Sequence, residues 1–172
     1  VSAVLFAPHA DDECLFACYL LIRLRAKVVV CLDSGLIRFM ELEDAMGVLD
    51  RDWRMLRVDE AEPDWAEVRD AIGEEARRAT TLIAPAFEEG GHEHHNEVAQ
   101  IVNSLGHSQI IRYVTYRRGH GRTTTDTYVQ GSIHDQELKL TALRCYESQI
   151  EDADTAPWFP GGAYHTLNEW VA

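Results

Sequence analysis

At 172 residues, 46% of them apolar, the chain is long enough to bury one sizeable core, and a single domain over 1–172 is expected. Its 29 acidic residues outnumber 16 Lys and Arg, a formal charge of −13 that sets the surface against phosphate backbones and anionic lipid; no nucleic-acid partner is expected. No apolar run reaches bilayer length, no charged n-region followed by a cleavage site is seen, and Cys14, Cys18, Cys31 and Cys145 form no CxxC pair, so reduced thiols in a cytoplasmic protein are expected.

In chain order, the β-forming run at 1–7 stops at Pro8, and a helix is expected over 12–24, closed by Arg23, Arg25 and Lys27. Residues 27–33 are apolar on consecutive positions and read as a strand buried on both faces. A helix over 37–46 ends at Gly47, and 53–58 is a short third strand. The stretch 64–79 is an amphipathic helix with Trp65, Val68, Ile72 and Ala76 on one face. Strands at 80–84 and 108–116 flank a helix over 96–105. One more strand is expected at 128–131, then a helix over 134–150 and an irregular tail. Alternation of strand and helix through the first two thirds predicts α/β architecture, a Rossmann-like three-layer α/β/α sandwich with a mostly parallel sheet. There is no GxGxxG after the first strand, which speaks against a dinucleotide site.

The chemistry concentrates where strands end. After the first strand stand His9, Asp11, Asp12 and Glu13. The spacing His9-x-x-Asp12 lets both side chains converge on one ion and leaves Asp11 for proton transfer. Asp and Glu also favour the first turn of any helix, so the acids alone would be unremarked. After the fourth strand, on the same sheet edge, stand His92, His94 and His95. His92 and His95, three apart, point to one side, while His94 between them is expected to face away. Four ligand candidates are one too many for a catalytic zinc with an open position, so one histidine is left for another role.

The two clusters, His9-Ala10-Asp11-Asp12-Glu13 and His92-Glu93-His94-His95, resemble the signature motifs of the PIG-L/LmbE-like zinc-dependent de-N-acetylases. Asp33-Ser34-Gly35, Arg38 with Glu41, Ala45-Met46-Gly47-Val48, and Lys139, Ala142, Tyr146, Ser148 and Gln149 extend the likeness through most of the chain. The resemblance implies His9, Asp12 and His95 as ligands of zinc, with iron (Fe2+) accepted by the same residues. It implies Asp11 as the general base and His92 as the general acid or oxyanion stabiliser. Glu13 either holds a ligand histidine or caps the helix. Arg38 is a candidate to bind a sugar hydroxyl or phosphate, or else pairs with Glu41 on a helix surface.

The implied reaction is hydrolysis of an N-acetyl or N-acyl group on an amino sugar or glycoconjugate, such as an N-acetylglucosamine derivative. Ala10 stands where the family has proline, and Gly35 runs almost directly into Arg38 where the family carries an insertion that helps to wall the pocket. A catalytically inactive metal- and sugar-binding module is therefore the alternative. A two-metal phosphoesterase is a third reading, for which the sequence offers ligands for one ion only. Arg117, Arg118, His120 and Arg122 form either a candidate substrate lid or a solvated charged loop. Homo-oligomerisation stays open.

Overall fold

The computed structural model describes residues 3–115, 127–162 and 168–172. Within them the elements are β1 (Ala3–Ala7), α1 (Asp12–Phe16), α2 (Cys18–Leu24), β2 (Lys27–Val30), α3 (Leu36–Leu49), β3 (Trp53–Met55), α4 (Trp65–Ala76), β4 (Thr81–Pro85), α5 (Glu93–Ser104) and β5 (Ile110–Tyr113). Then come β6 (Thr127–Val129), α6 (Ile133–Leu143), α7 (Glu147–Glu151), a 3-10 turn (Ala156–Trp158) and β7 (Glu169–Val171). They form one sheet in the order β3-β2-β1-β4-β5-β7-β6. The first five strands are parallel, and β7 pairs antiparallel with both β5 and β6.

Both faces of the sheet are covered, as an unbroken apolar strand requires. Leu5, Ala7, Val28, Val30 and Ile83 point into a core shared with α1, α2, α3 and α6. Val4, Phe6, Val29, Leu82 and Ala84 point into a second core under α4 and α5. Adjacent residues of one strand thus feed opposite layers, and the result is a three-layer α/β sandwich. The chain steps outward from β1 to β2 to β3 and then returns to place β4 on the other side of β1. At that reversal the loops after β1 and β4 part, opening a crevice at the carboxyl ends of the strands.

Several boundaries differ from the sequence expectation. The helix expected over 12–24 breaks at Ala17 (φ −136°, ψ 15°) because a remote carboxylate intervenes. Both oxygens of Glu169, in β7, accept the Tyr19 backbone N–H, at 3.0 and 2.9 Å, capping α2. α3 runs through Gly47 to Leu49, since buried Leu42, Ala45, Met46 and Leu49 outweigh the roughly 1 kcal/mol that one helical glycine costs. The helix expected over 134–150 divides into α6 and α7 at residues 144–146. The tail, expected to be irregular, contributes β7, three residues long and without enough periodicity to read.

The Glu169 cap is itself held by an ion pair inside the core. Lys139 Nζ lies 2.8 Å from Glu169 Oε1 and donates to the Leu15 carbonyl at 2.9 Å, with both side chains essentially excluded from solvent. Removing one partner of such a pair strands the other charge. Glu169→Ala is expected to cost about 3–5 kcal/mol, read as a lowered urea midpoint at unchanged slope.

Candidate active site

The site begins with the turn that follows β1. After Pro8 the chain doubles back so that the His9 N–H donates to Asp12 Oδ2 at 2.9 Å. Asp11 adopts φ 142°, ψ −28°, a conformation that L-residues rarely take. Its N–H donates to Glu13 Oε2 at 3.1 Å, and its carbonyl accepts from Cys14 and Leu15 to start α1. Across the crevice, His92 is the N-cap of α5, where its Nδ1 accepts the His94 N–H at 3.3 Å. His95 lies one turn in and is buried.

These loops bring His9, Asp12 and His95 together. Asp12 Oδ2 is 3.2 Å from His9 Nδ1 and 3.2 Å from His95 Nε2, and the three candidate ligand atoms lie within 4.8 Å of one another. Ligands held at the usual zinc bond lengths in a tetrahedron stand about 3.3 Å apart. Asp12 Oδ1 is buried with no hydrogen-bond partner among the described residues. Two imidazoles, a carboxylate at this spacing and an unsatisfied anionic oxygen suit a divalent metal.

His94 does not face away. Its Nδ1 is 2.9 Å from His9 Nε2. The expectation rested on the three-residue spacing of His92 and His95 alone; α5 starts at Glu93, and His9 reaches across from the turn after β1 to meet His94.

Each acid of the turn has a different partner. Arg38 Nη2 is 3.0 Å from Asp11 Oδ2 and also donates to the Ala10 carbonyl. Arg38 Nη1 is 3.4 Å from Glu41 Oε2. Glu41 in turn accepts from the Ser148 N–H at 2.6 Å and the Ser148 hydroxyl at 2.8 Å. Arg38 is therefore buried beside the site rather than lying on a helix surface. Glu13 accepts from the Tyr146 hydroxyl and the Asp11 N–H, and holds no histidine among the described contacts.

The environment separates these groups electrostatically. Burial raises the Asp11 carboxyl to about 7, with Arg38 opposing and the neighbouring carboxylates of Asp12 and Glu13 adding to it. Burial also works to raise Asp12, but the facing imidazoles of His95 and His9 override it and hold Asp12 well below the usual carboxylate range. Burial, reinforced by the nearby His95, His9 and His94 rings, lowers His92 to about 4. His92 is accordingly neutral near pH 7. Its cap bond places the acceptor lone pair on Nδ1 and leaves the proton on Nε2.

A crevice of about 490 Å³ opens on this cluster, lined by His9, Asp11, Arg38 and His92 with Ile37 and Trp158 as apolar walls. Glu60, Ser148, Asp154 and Thr155 also line it. Of these, only Ser148 stands in a stretch that carried a sequence signal. Arg117, Arg118, His120 and Arg122 lie outside the described residues. No described helix is long and apolar enough to cross a membrane.

No family model matches the sequence, and neither does any curated protein. Solved structures do share its fold. A deacetylase of the teicoplanin biosynthetic pathway superposes with a TM-score of 0.73 at 15% identity, over 90% of this chain and 86% of that one. The A40926 pseudoaglycone deacetylase Dbv21 gives 0.72 at 15%, over 89% and 84%. The teicoplanin deacetylase has also been solved in a zinc-inhibited form and in complex with teicoplanin. GalB, the 4-carboxy-2-hydroxymuconate hydratase of Pseudomonas putida KT2440, gives 0.64 at 9%, over 100% and 95%. The chain thus has the α/β fold of these deacetylases, the fold expected of the family its motifs resemble, and a hydratase shares it.

The raised Asp11 carboxyl has a consequence for stability. A group whose pKa rises from 3.8 unfolded to about 7 folded contributes fully below 3.8 and loses that contribution as pH climbs through 7. In metal-free protein, Asp11→Asn is expected to raise the melting temperature relative to wild type at pH 8 and to leave it unchanged near pH 3.5. Thermal melts at the two pH values in chelator check this.

Proposed function

We propose that this protein is a metal-dependent N-deacetylase acting on an amino-sugar-containing glycoconjugate. The observation that carries the reading is the convergence of His9, Asp12 and His95 beside Asp11 and His92 in one crevice at the strand ends. Zinc is the proposed metal, with iron(II) compatible with the same donors. Bound there, it would supply a Lewis acid that polarises a carbonyl and lowers the pKa of water.

The protein's own residues do the rest. Asp11, raised to about 7, accepts a proton from the attacking water and passes it to the departing amine. His92, neutral with its proton on Nε2, donates a hydrogen bond to the oxygen that becomes an oxyanion. Arg38 faces the crevice and holds Asp11 in place, while Glu13 holds the Asp11 backbone. The intact support around Asp11 favours catalysis over the inactive binding module.

The fold alone does not choose between deacetylation and hydration. Charge favours the former. Arg38 is already engaged by Asp11 and Glu41, and Glu60 and Asp154 add negative charge to the crevice. A tricarboxylate would meet repulsion there, whereas a neutral sugar finds hydroxyl and carboxylate partners. The deacetylases among the structural neighbours support the same choice, and four unpaired thiols, three of them buried, fit a reducing, cytoplasmic setting.

Acetate release from a panel of N-acetylated amino sugars and glycoconjugates, with and without chelator, tests the reaction. Chelator-sensitive release is expected, and turnover of 4-carboxy-2-hydroxymuconate without acetate release would overturn it. Asp11→Ala should retain metal and lose activity by about 10²–10⁴-fold, whereas His95→Ala should lose the metal. Arg38→Gln should lower kcat on the order of a hundredfold with a smaller change in KM, since it misplaces the base.

A further inference from the structure

The loop after α7, residues 152–162, carries none of the motifs that pointed to the site, yet it builds one wall of the crevice. Its own hydrogen bonds fix it in place. Asp152 Oδ1 accepts the N–H groups of Asp154 at 2.8 Å and of Thr155 at 3.2 Å. The Thr155 hydroxyl donates to the Gln149 carbonyl at 2.7 Å, and the Trp158 N–H donates to the Thr155 carbonyl at 2.9 Å. Phe159 anchors the loop in the core, with its ring centroid 6.4 Å from that of Tyr146. The Gly162 N–H donates to the Phe159 carbonyl at 2.9 Å, at a position where a Cβ would run into the Ala156 carbonyl.

This loop gives the crevice Asp154, Thr155 and Trp158. Trp158 is half-buried: it packs against the core and also lines the crevice. Among the described lining residues only Trp158 offers a broad apolar aromatic face. The Asp154 carboxylate makes no hydrogen bond or ion pair among the described residues. An aromatic face beside an unengaged acceptor suits a ligand that is apolar on its flat side and hydroxylated around its rim.

We infer that Trp158 and Asp154 determine specificity for a pyranose ring, which lies with its C–H face on the indole while Asp154 accepts its hydroxyls. The inference deepens the deacetylase reading above and rests on it for the ligand being an amino sugar. The indole face carries the negative part of the ring quadrupole and attracts C–H bonds. Hydrogen bonds to a carboxylate are charge-assisted and stronger than those between neutral groups. The loop is tied down before a ligand arrives, so little ordering opposes binding. An acyclic amine or amide has no ring face to stack and loses the first of these contacts.

Two probes that carry no acetyl group isolate the ring. Methyl glucosaminide and ethanolamine share an amine and a hydroxyl, and only the first has a pyranose. Their affinities for zinc-loaded protein are measured by ligand-observed proton NMR. Wild type is expected to bind the glycoside about tenfold more tightly and to shift the C–H protons of one sugar face upfield, as stacking under an indole requires. Trp158→Leu should lose the upfield shift and weaken glycoside binding about fivefold, leaving ethanolamine unchanged. Trp158→Phe should restore most of both. Asp154→Ala should weaken the glycoside about tenfold and keep the upfield shift.

Equal binding of the two probes by wild type, or no binding of the glycoside, overturns the inference. So does an upfield shift that survives in Trp158→Leu, which would leave Trp158 as packing alone. If Trp158→Leu fails to fold, the wild-type preference and shift decide. Neither probe can be deacetylated, so ring binding without acetate release from any N-acetylated sugar would sink the reaction and spare the wall. Acetate release without ring preference would do the reverse.

Discussion

Three consecutive carboxylates, Asp11, Asp12 and Glu13, are buried in one turn, and the rest of the site is arranged around making that tolerable. Unpaired charges at such spacing in a low-dielectric interior would repel strongly. The fold gives each acid its own counterpart from a different element. Arg38 of α3 meets Asp11, His95 of α5 meets Asp12 together with His9, and the Tyr146 hydroxyl between α6 and α7 meets Glu13. On the proposed reading, the three carboxyls of one chemistry take separate tasks. Asp12 is held anionic as a ligand must be, Asp11 sits near neutrality as a base must, and Glu13 is pushed up by burial and acts as scaffold.

That division explains why helices on both sides of the sheet are needed. His95 comes from the layer containing α4 and α5, Arg38 and Tyr146 from the opposite one. They can meet over a single turn only at an end of the sheet, and the parting of loops beside β1 and β4 provides the opening. The Ser148–Glu41–Arg38 relay extends the same logic by one more step. It fixes the guanidinium by contacts more than a hundred residues away in sequence, so the Asp11 carboxylate is oriented by the packing of α3 against α6 and α7 as well as by its own turn.

Much of this was legible in the sequence, and the remainder has physical reasons for being hidden. Strands β1, β2 and β4 announce themselves because they are buried on both faces and carry unbroken apolar runs. β7 does not, because three residues paired at the sheet's antiparallel margin carry no period. The helix break at Ala17 was invisible because its cause, Glu169, lies 150 positions from the Tyr19 N–H that it caps. At the site, His9, Asp11, Asp12, His92 and His95 could be picked out because ligand types recur at strand ends with fixed spacing. Orientation could not be read the same way. His94 meets His9, a partner 85 positions away that local spacing could not show. Arg38 pairs inward because Glu41 and Asp11 lie on the same side of α3.

The strained backbone at Asp11 follows from the same crowding. The carbonyl of Asp11 must point along α1 to accept from Cys14 and Leu15, its N–H must point at Glu13, and its carboxylate must reach Arg38. With these three contacts in place the residue stands at a φ of 142°. Glycine would accept that backbone without strain but would remove the carboxylate, and asparagine would keep the shape without the charge. An aspartate that is buried, partly uncharged near neutral pH and strained is a poor choice for stability alone. Its presence fits the proposed reading, in which Asp11 exchanges a proton with the attacking water.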